Sequence, residues 1–198
     1  MNDLRMRGGP DADAASARAA AAVARRAERE GLVDVAFVTV PSPLGDLFVA
    51  ATRRGLVRLA YRDENRDDAM QELAVSVSPR IIESPRRLDR VRRELDEYFA
   101  GRRRRFDFAV DYGLTRGFTR KVLRATARIP FGSVSSYTEV AGRAGNARAY
   151  RAAGNALGSN PVPIVVPCHR VLHSGGGLGG YTGGLDRKRF LLSLEGVL

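Results

Sequence analysis

The chain has 198 residues, enough for one domain or two small ones with a real hydrophobic core. Hydrophobic residues at 44% and charged residues at 28% argue against wholesale disorder, and no apolar run approaches the roughly eighteen residues of a transmembrane helix. One cysteine cannot close an internal disulfide and, with only two histidines, cannot build a Cys-rich zinc site, while a net charge of +11 points either to a polyanion or to a merely arginine-rich composition.

Residues 1–31 hold an Ala/Arg run with almost no large apolar side chain. Such a segment can form a helix but has little to bury, so it reads as a flexible extension. Its five acidic residues argue against an organelle transit peptide, and it has no apolar stretch of the secretory kind. From Val33 the pattern becomes period-two: Val33 to Val40, Leu47 to Ala51 and Leu56 to Tyr61 are separated by Pro/Gly-containing breaks, which predicts a meander of short antiparallel strands. A helix near Arg66 to Val75 and a short apolar piece at Ile81-Ile82 follow. Leu88, Val91, Leu95, Tyr98 and Phe99 then share one helix face, introduced by Pro85 and stopped by Gly101. Phe106 to Val110 alternates and predicts one more strand, with the Arg102 to Arg105 run before it read as a solvated turn. Residues 32–111 thus read as a compact α+β scaffold without a catalytic constellation.

Residues 112–198 carry twelve basic and three acidic side chains, hence nine of the eleven net positive charges. Phe118, Val122, Ala125 and Ile129 mark one helix face. Helices at about Tyr137 to Arg143 and Arg148 to Leu157, joined by a turn at Gly145-Asn146, suggest a helix-turn-helix in this basic region. Pro161 to Leu172 then delivers the chain's only thiol, Cys168, beside His169 and Arg170. A thiolate is the competent nucleophile, and a neighbouring base or positive charge is what makes one near neutral pH. A lone cysteine is more often a buried structural residue, and the segment alone does not separate the two readings.

The surrounding blocks do. Ile129 to Tyr137, Arg151 to Pro161, Pro161 to Leu172 and Gly180 to Leu185 together resemble, in order and spacing, the O6-alkylguanine-DNA alkyltransferases, also called methylated-DNA–protein-cysteine methyltransferases. The resemblance is strong from about Phe118 to Gly196 and architectural from Val33 to Tyr112. It implies an α+β protein: a small RNase H-like N-terminal domain over residues 32–111 and a winged helix-turn-helix-like C-terminal domain over 112–198. The implied reaction is irreversible, single-turnover transfer of an alkyl group from guanine O6, with O4-alkylthymine as a second candidate substrate, to Cys168. His169 would take the thiol proton through water, and Glu195 would orient the imidazole. The target nucleotide must leave the stack, so Arg151 would fill its place. Ala152 and Gly154 would let that helix approach the minor groove, with Tyr150 a bulkier departure from the pattern. Tyr137 would donate toward guanine N3, and Asn160 would hold the turn before the cysteine segment. Tyr181, Thr182 and Val171 would wall the base pocket.

Double-stranded DNA is therefore the expected partner, bound by a monomer in the cytoplasm, with no cofactor and no metal. Gly175, Gly177 and Gly180 fit a GxGxxG spacing, but no βαβ unit accompanies them, so no dinucleotide or S-adenosylmethionine site is expected. Two rivals stand beside this reading: a lesion binder that does not react, and a multiple-turnover cysteine hydrolase using Cys168, His169 and Glu195.

Overall fold

The computed structural model describes residues 10–198, so the first nine residues of the expected extension lie outside it. The remainder of that extension is helical. Alanine is the strongest helix former, and α1 runs from Pro10 to Arg29, with Ala24 the one buried residue among its described side chains. It ends in a Schellman turn at Gly31 (φ 71°), where the Leu32 amide reaches the Ala27 carbonyl and the Gly31 amide that of Glu28. Ser84 Oγ donates to Glu28 and ties the last helical turn to the domain.

Strands β1 (Val35–Val40), β2 (Leu47–Thr52) and β3 (Gly55–Tyr61) form the expected meander, and β4 (Ile81–Glu83) adds parallel to β1, giving the order β3-β2-β1-β4. Alternate side chains divide between two faces. Val35, Phe37, Phe48, Val57 and Ala60 pack on Ala69 and Leu73 of α2 (Arg66–Ser76). Ala36, Val38, Val49, Leu59 and Tyr61 join Leu95 and Tyr98 of α3 (Asp89–Phe99) in a cluster that continues into the C-terminal half.

The strand expected over Phe106 to Val110 is not formed. The segment bends at Phe108, and although Leu56 donates to Ala109 O and Asp111 to Leu56 O, Val110 makes only an isolated bridge to Leu56. The chain turns away because the Asp111 carboxylate accepts from Thr52 Oγ1, Arg54 Nε and the Gly113 amide, which closes a turn immediately after the first rung. Nor is the arginine run before it simply solvated: Arg103 pairs with Glu97 at 2.7 Å and Asp107 at 2.8 Å.

In the C-terminal half, α4 (Gly117–Thr126), α5 (Tyr137–Arg143) and α6 (Tyr150–Gly158) pack together, and α7 (Leu185–Leu194) lies against the Cys168 turn. Gly145 (φ 107°) and Asn146, whose side chain accepts from the Arg148 amide, make the α5–α6 turn. Two short strands, β5 (Ser135–Ser136) and β6 (Val171–Leu172), pair in parallel and tie the residue before Tyr137 to the segment leaving Cys168. The α5 start is set by a capping box: Ser136 Oγ accepts from the Glu139 amide, and Glu139 accepts from the Ser136 amide. Across the halves, the Leu59 amide of β3 donates to Pro161 O at 2.8 Å.

Because this cap fixes where Tyr137 begins its helix, Ser136→Ala is expected to lower the unfolding free energy by about 1 kcal/mol in urea titrations. An unchanged midpoint would show that the β5–β6 pair alone holds that corner.

Candidate active site

The segment that presents the cysteine is folded back on itself. Val165 donates to Pro163 O and Val166 to Val162 O, and Ile164 between them adopts φ 72° while fully buried. A β-branched residue in the left-handed region costs about 1–3 kcal/mol and persists only where its surroundings dictate it. Here Asn160 does much of the dictating. Its Nδ2 donates to Val166 O at 2.8 Å and to Cys168 Sγ at 3.1 Å, while Oδ1 accepts from the Val162 amide. One amide thus fixes the turn and the sulfur together. Cys168 is 8% exposed, at the wall of a cavity of about 930 Å³.

Behind the sulfur stands a buried ionic group. His169 Nε2 lies 3.0 Å from Glu195 Oε1, and Arg170 straddles the same carboxylate with Nε and Nη2 each at 2.8 Å. Tyr98 Oη of α3 donates to Glu195 Oε1 at 2.7 Å. Glu195, whose direction the sequence leaves open, therefore points inward from the end of α7. Burial by itself would raise its pKa, but the bonds from His169 and Arg170 outweigh that and hold the carboxyl at about 2. An ionised Glu195 accepts the Nε2 proton, so the neutral imidazole carries its lone pair on Nδ1. That nitrogen is buried and has no hydrogen-bond partner among the described residues. Burial lowers the His169 pKa, with Glu195 pulling the other way, and burial raises that of Cys168. The resting pair is accordingly a neutral thiol beside a neutral imidazole.

Arg170 departs from the expectation that it could help ionise the thiol. Its guanidinium is committed to Glu195 and to Ile129 O. The cation that favours the Cys168 thiolate is Lys188 of α7, which the sequence reading missed. Lys188 is fully buried, and its ammonium donates to the carbonyls of Val171 (2.7 Å), Leu178 and Gly180 (3.5 Å). Burial pushes its pKa down to about 8. A lysine directly before an arginine in a helix gives no sequence signal of such a role.

The cavity gathers Tyr137, Arg151, Gly154, Tyr181 and Thr182 around Cys168. Arg151 and Tyr150 stand at the start of α6, with the guanidinium 5.6 Å from the Tyr150 ring centre, and Ala152 is exposed beside them. Gly154 lies against the Tyr137 ring. Tyr137 is half-buried at the N-terminus of α5, and burial followed by the nearness of Cys168 raises its pKa, keeping the phenol protonated. Thr182 Oγ1 donates to Gly158 O at 2.7 Å. Val171 does not line the cavity, contrary to expectation. Its side chain is fully buried in the core, because β6 pairs with β5 and turns it inward, and its carbonyl is taken by Lys188. Gly179 is a further requirement: at φ 67°, a Cβ there would sit 2.6 Å from Tyr137 Oη.

The signs of these shifts set the acid response. A carboxyl held at about 2 against an ordinary 4.5 adds stability that is complete above pH 4.5 and lost as pH falls toward 2. A histidine buried neutral works in the same direction below its ordinary 6.5. Urea melts of the wild type between pH 7 and 3 are expected to show this decline, and Glu195→Gln to flatten its lower part. A slope unchanged by the substitution would place the titration elsewhere.

The chain is similar to known proteins over most of its length. Residues 117–197 match the family 6-O-methylguanine DNA methyltransferase, DNA binding domain, and residues 35–112 match 6-O-methylguanine DNA methyltransferase, ribonuclease-like domain. A methylated-DNA–protein-cysteine methyltransferase of Mycolicibacterium paratuberculosis is 40% identical over 163 residues, covering 81% of this chain and 92% of the relative. That of Methanosarcina barkeri is 36% identical over 156 residues, covering 79% and 94%. The crystal structure of Mycobacterium tuberculosis OGT in complex with DNA superposes with a TM-score of 0.69 at 36% identity, over 81% of this chain and 92% of that one. On this breadth of similarity, the chain belongs to the methylated-DNA–protein-cysteine methyltransferase family.

Proposed function

We propose that the protein repairs DNA by moving an alkyl group from guanine O6, and as a second substrate from thymine O4, onto Cys168. The observation that carries this is the single thiol at the wall of a cavity that Arg151 borders, with the His169–Glu195 pair behind it.

The burial that keeps the thiol neutral at rest requires its proton to leave during the reaction. It passes through water to His169 Nδ1, and the resulting imidazolium is stabilised by Glu195. The Cys168 thiolate then attacks the alkyl carbon in line. The C–S bond forms as the C–O6 bond breaks, and the electron pair goes to the guanine. Tyr137, protonated in its half-buried position, donates toward N3 and offsets the charge developing on the departing base. Lys188 favours the thiolate while its bonds to the Leu178 and Gly180 carbonyls hold the glycine loop, residues 174–184, that carries Tyr181 and Thr182, and its bond to Val171 O ties that loop to β6. The product is a thioether, and with no second thiol to resolve it each chain reacts once.

The protein binds as a monomer, with its recognition helix α6 entering the minor groove of duplex DNA. There the small side chains allow close approach and Arg151 takes the place of the extruded nucleotide. The Arg151–Tyr150 stack supports this role by holding the guanidinium at the cavity rim before DNA arrives. No base edge of the flanking duplex is read in this mode, so binding is largely independent of sequence and strongly dependent on salt.

Intact-mass measurement after incubation with duplex O6-methylguanine is expected to show one added methyl group per chain, on the peptide holding Cys168. Repeated turnover with unmodified protein would favour the hydrolase reading, and binding without a mass change the non-reacting binder. Cys168→Ala is expected to abolish transfer and keep DNA affinity within about twofold. Arg151→Ala is expected to slow repair of the duplex by roughly tenfold or more while changing reaction with the free base by less than about twofold. Equal losses on both substrates would remove Arg151 from the flipping role.

A further inference from the structure

Tyr61 ends strand β3 in the N-terminal half, remote in sequence from every residue of the cysteine motif. It is 2% exposed, so its hydroxyl needs a partner inside the protein. That partner is Tyr181, at 2.7 Å between the two hydroxyl oxygens. Burial raises the pKa of both phenols, so the bond joins two neutral groups, one donating and one accepting. The Tyr61 ring is also held from its other side. The Arg187 guanidinium sits 4.3 Å from the ring centre and is itself fixed by Asp63 (2.9 Å) and Gly183 O (3.0 Å). Gly183 permits this closeness: a Cβ there would lie 2.5 Å from the Tyr61 ring and 2.8 Å from that of Tyr181.

A second cavity, of about 230 Å³, is bordered by Arg58, Tyr61, Pro163 and Gly183. Cys168 and Tyr181 border this space as well as the large cavity that Arg151 borders. Cys168 therefore borders two spaces, and so does Tyr181, which is fastened by a residue of the other half of the molecule. We propose that Tyr61 sets the size of alkyl group that Cys168 accepts, by fastening Tyr181 as a partition between the large cavity and the smaller one behind it.

Tyr61 is thus a positioning residue that acts through Tyr181, and the inference rests on the alkyl-transfer reading above. In an in-line displacement the first carbon lies between O6 and Sγ, and whatever extends beyond it meets the Tyr181 ring. A methyl group needs no further room and gains from a fixed wall. A benzyl group fits by pushing the ring toward the rear cavity, which breaks the hydroxyl pair. Removing either hydroxyl spares the bulky group that cost and takes the fixed wall from the small one.

The test compares single-turnover rates on matched duplexes holding O6-methylguanine or O6-benzylguanine, for the wild type, Tyr61→Phe, Tyr181→Phe and the double variant. Each single variant is expected to raise the benzyl-to-methyl rate ratio about fivefold, the scale of one neutral hydrogen bond, and the double variant to raise it no further, because both remove the same bond. An unchanged ratio, a ratio that moves only in Tyr181→Phe, or effects that multiply in the double variant would overturn the proposal while leaving alkyl transfer intact. A merely structural role slows both substrates equally and would overturn it too. If Tyr61→Phe does not fold, Arg187→Gln removes the cation over the Tyr61 ring from the surface side. A raised ratio there supports the partition, and an unchanged one overturns it. A wild type that takes up neither alkyl group overturns the transfer reading and this inference with it, an outcome separable from the others because it appears before any substitution.

Discussion

One buried carboxylate organises this molecule. Glu195 is almost inaccessible to water, where an unpaired charge would be prohibitive, and it is satisfied by His169, Arg170, Tyr98 and, at 3.5 Å, the Gly132 amide. Arg170 and His169 come from the turn that starts at Cys168, and Tyr98 comes from α3 of the N-terminal half. Removing any one would leave the others with an incompletely balanced ion, so the carboxylate compels the cysteine turn, α7 and the N-terminal domain into one arrangement. The same satisfaction settles the chemistry. Because Arg170 keeps the acid ionised, the imidazole proton is held on Nε2 and the free lone pair is on Nδ1.

The N-terminal half then has a more direct part in the site than a scaffold would. Tyr98 supports the base from below, while Tyr61 reaches the cavity wall through Tyr181, and the Leu59 amide fixes Pro161 at the entrance to the cysteine segment. All three contacts come from the sheet face and helix that share a core with the C-terminal half. A split into a structural part and a reacting part describes the sequence better than it describes the energetics.

What could be read from the residues alone followed the range of the interactions. Cys168 with its neighbouring base is a local signal, as are the turn at Gly145-Asn146 and the alternation of the three meander strands, because each is set by residues a few positions apart. The inward turn of Glu195, the Tyr98 and Tyr61 hydroxyls and the buried Lys188 were not legible, since each depends on a partner many residues away or on which side of a helix faces the core. Two errors have the same origin. Val171 sits beside the motif in sequence but faces the opposite way once β6 pairs with β5. Phe106 to Val110 has a strand's alternation, yet the Asp111 turn ends its pairing after one rung. Periodicity reports which face a side chain takes, and the hydrogen-bond partners elsewhere in the chain decide whether a ladder forms.

Helix α7 carries Lys188 near its start and is followed at its end by Glu195, so one ten-residue element anchors both the glycine loop around the base and the acid behind the histidine. Local opening of that helix would detach both supports at once, leaving a chemically intact cysteine with neither a shaped pocket nor an oriented proton acceptor. Docking of α7 is thereby a condition for the assembled site: the shaped loop and the oriented proton acceptor are in place together or not at all.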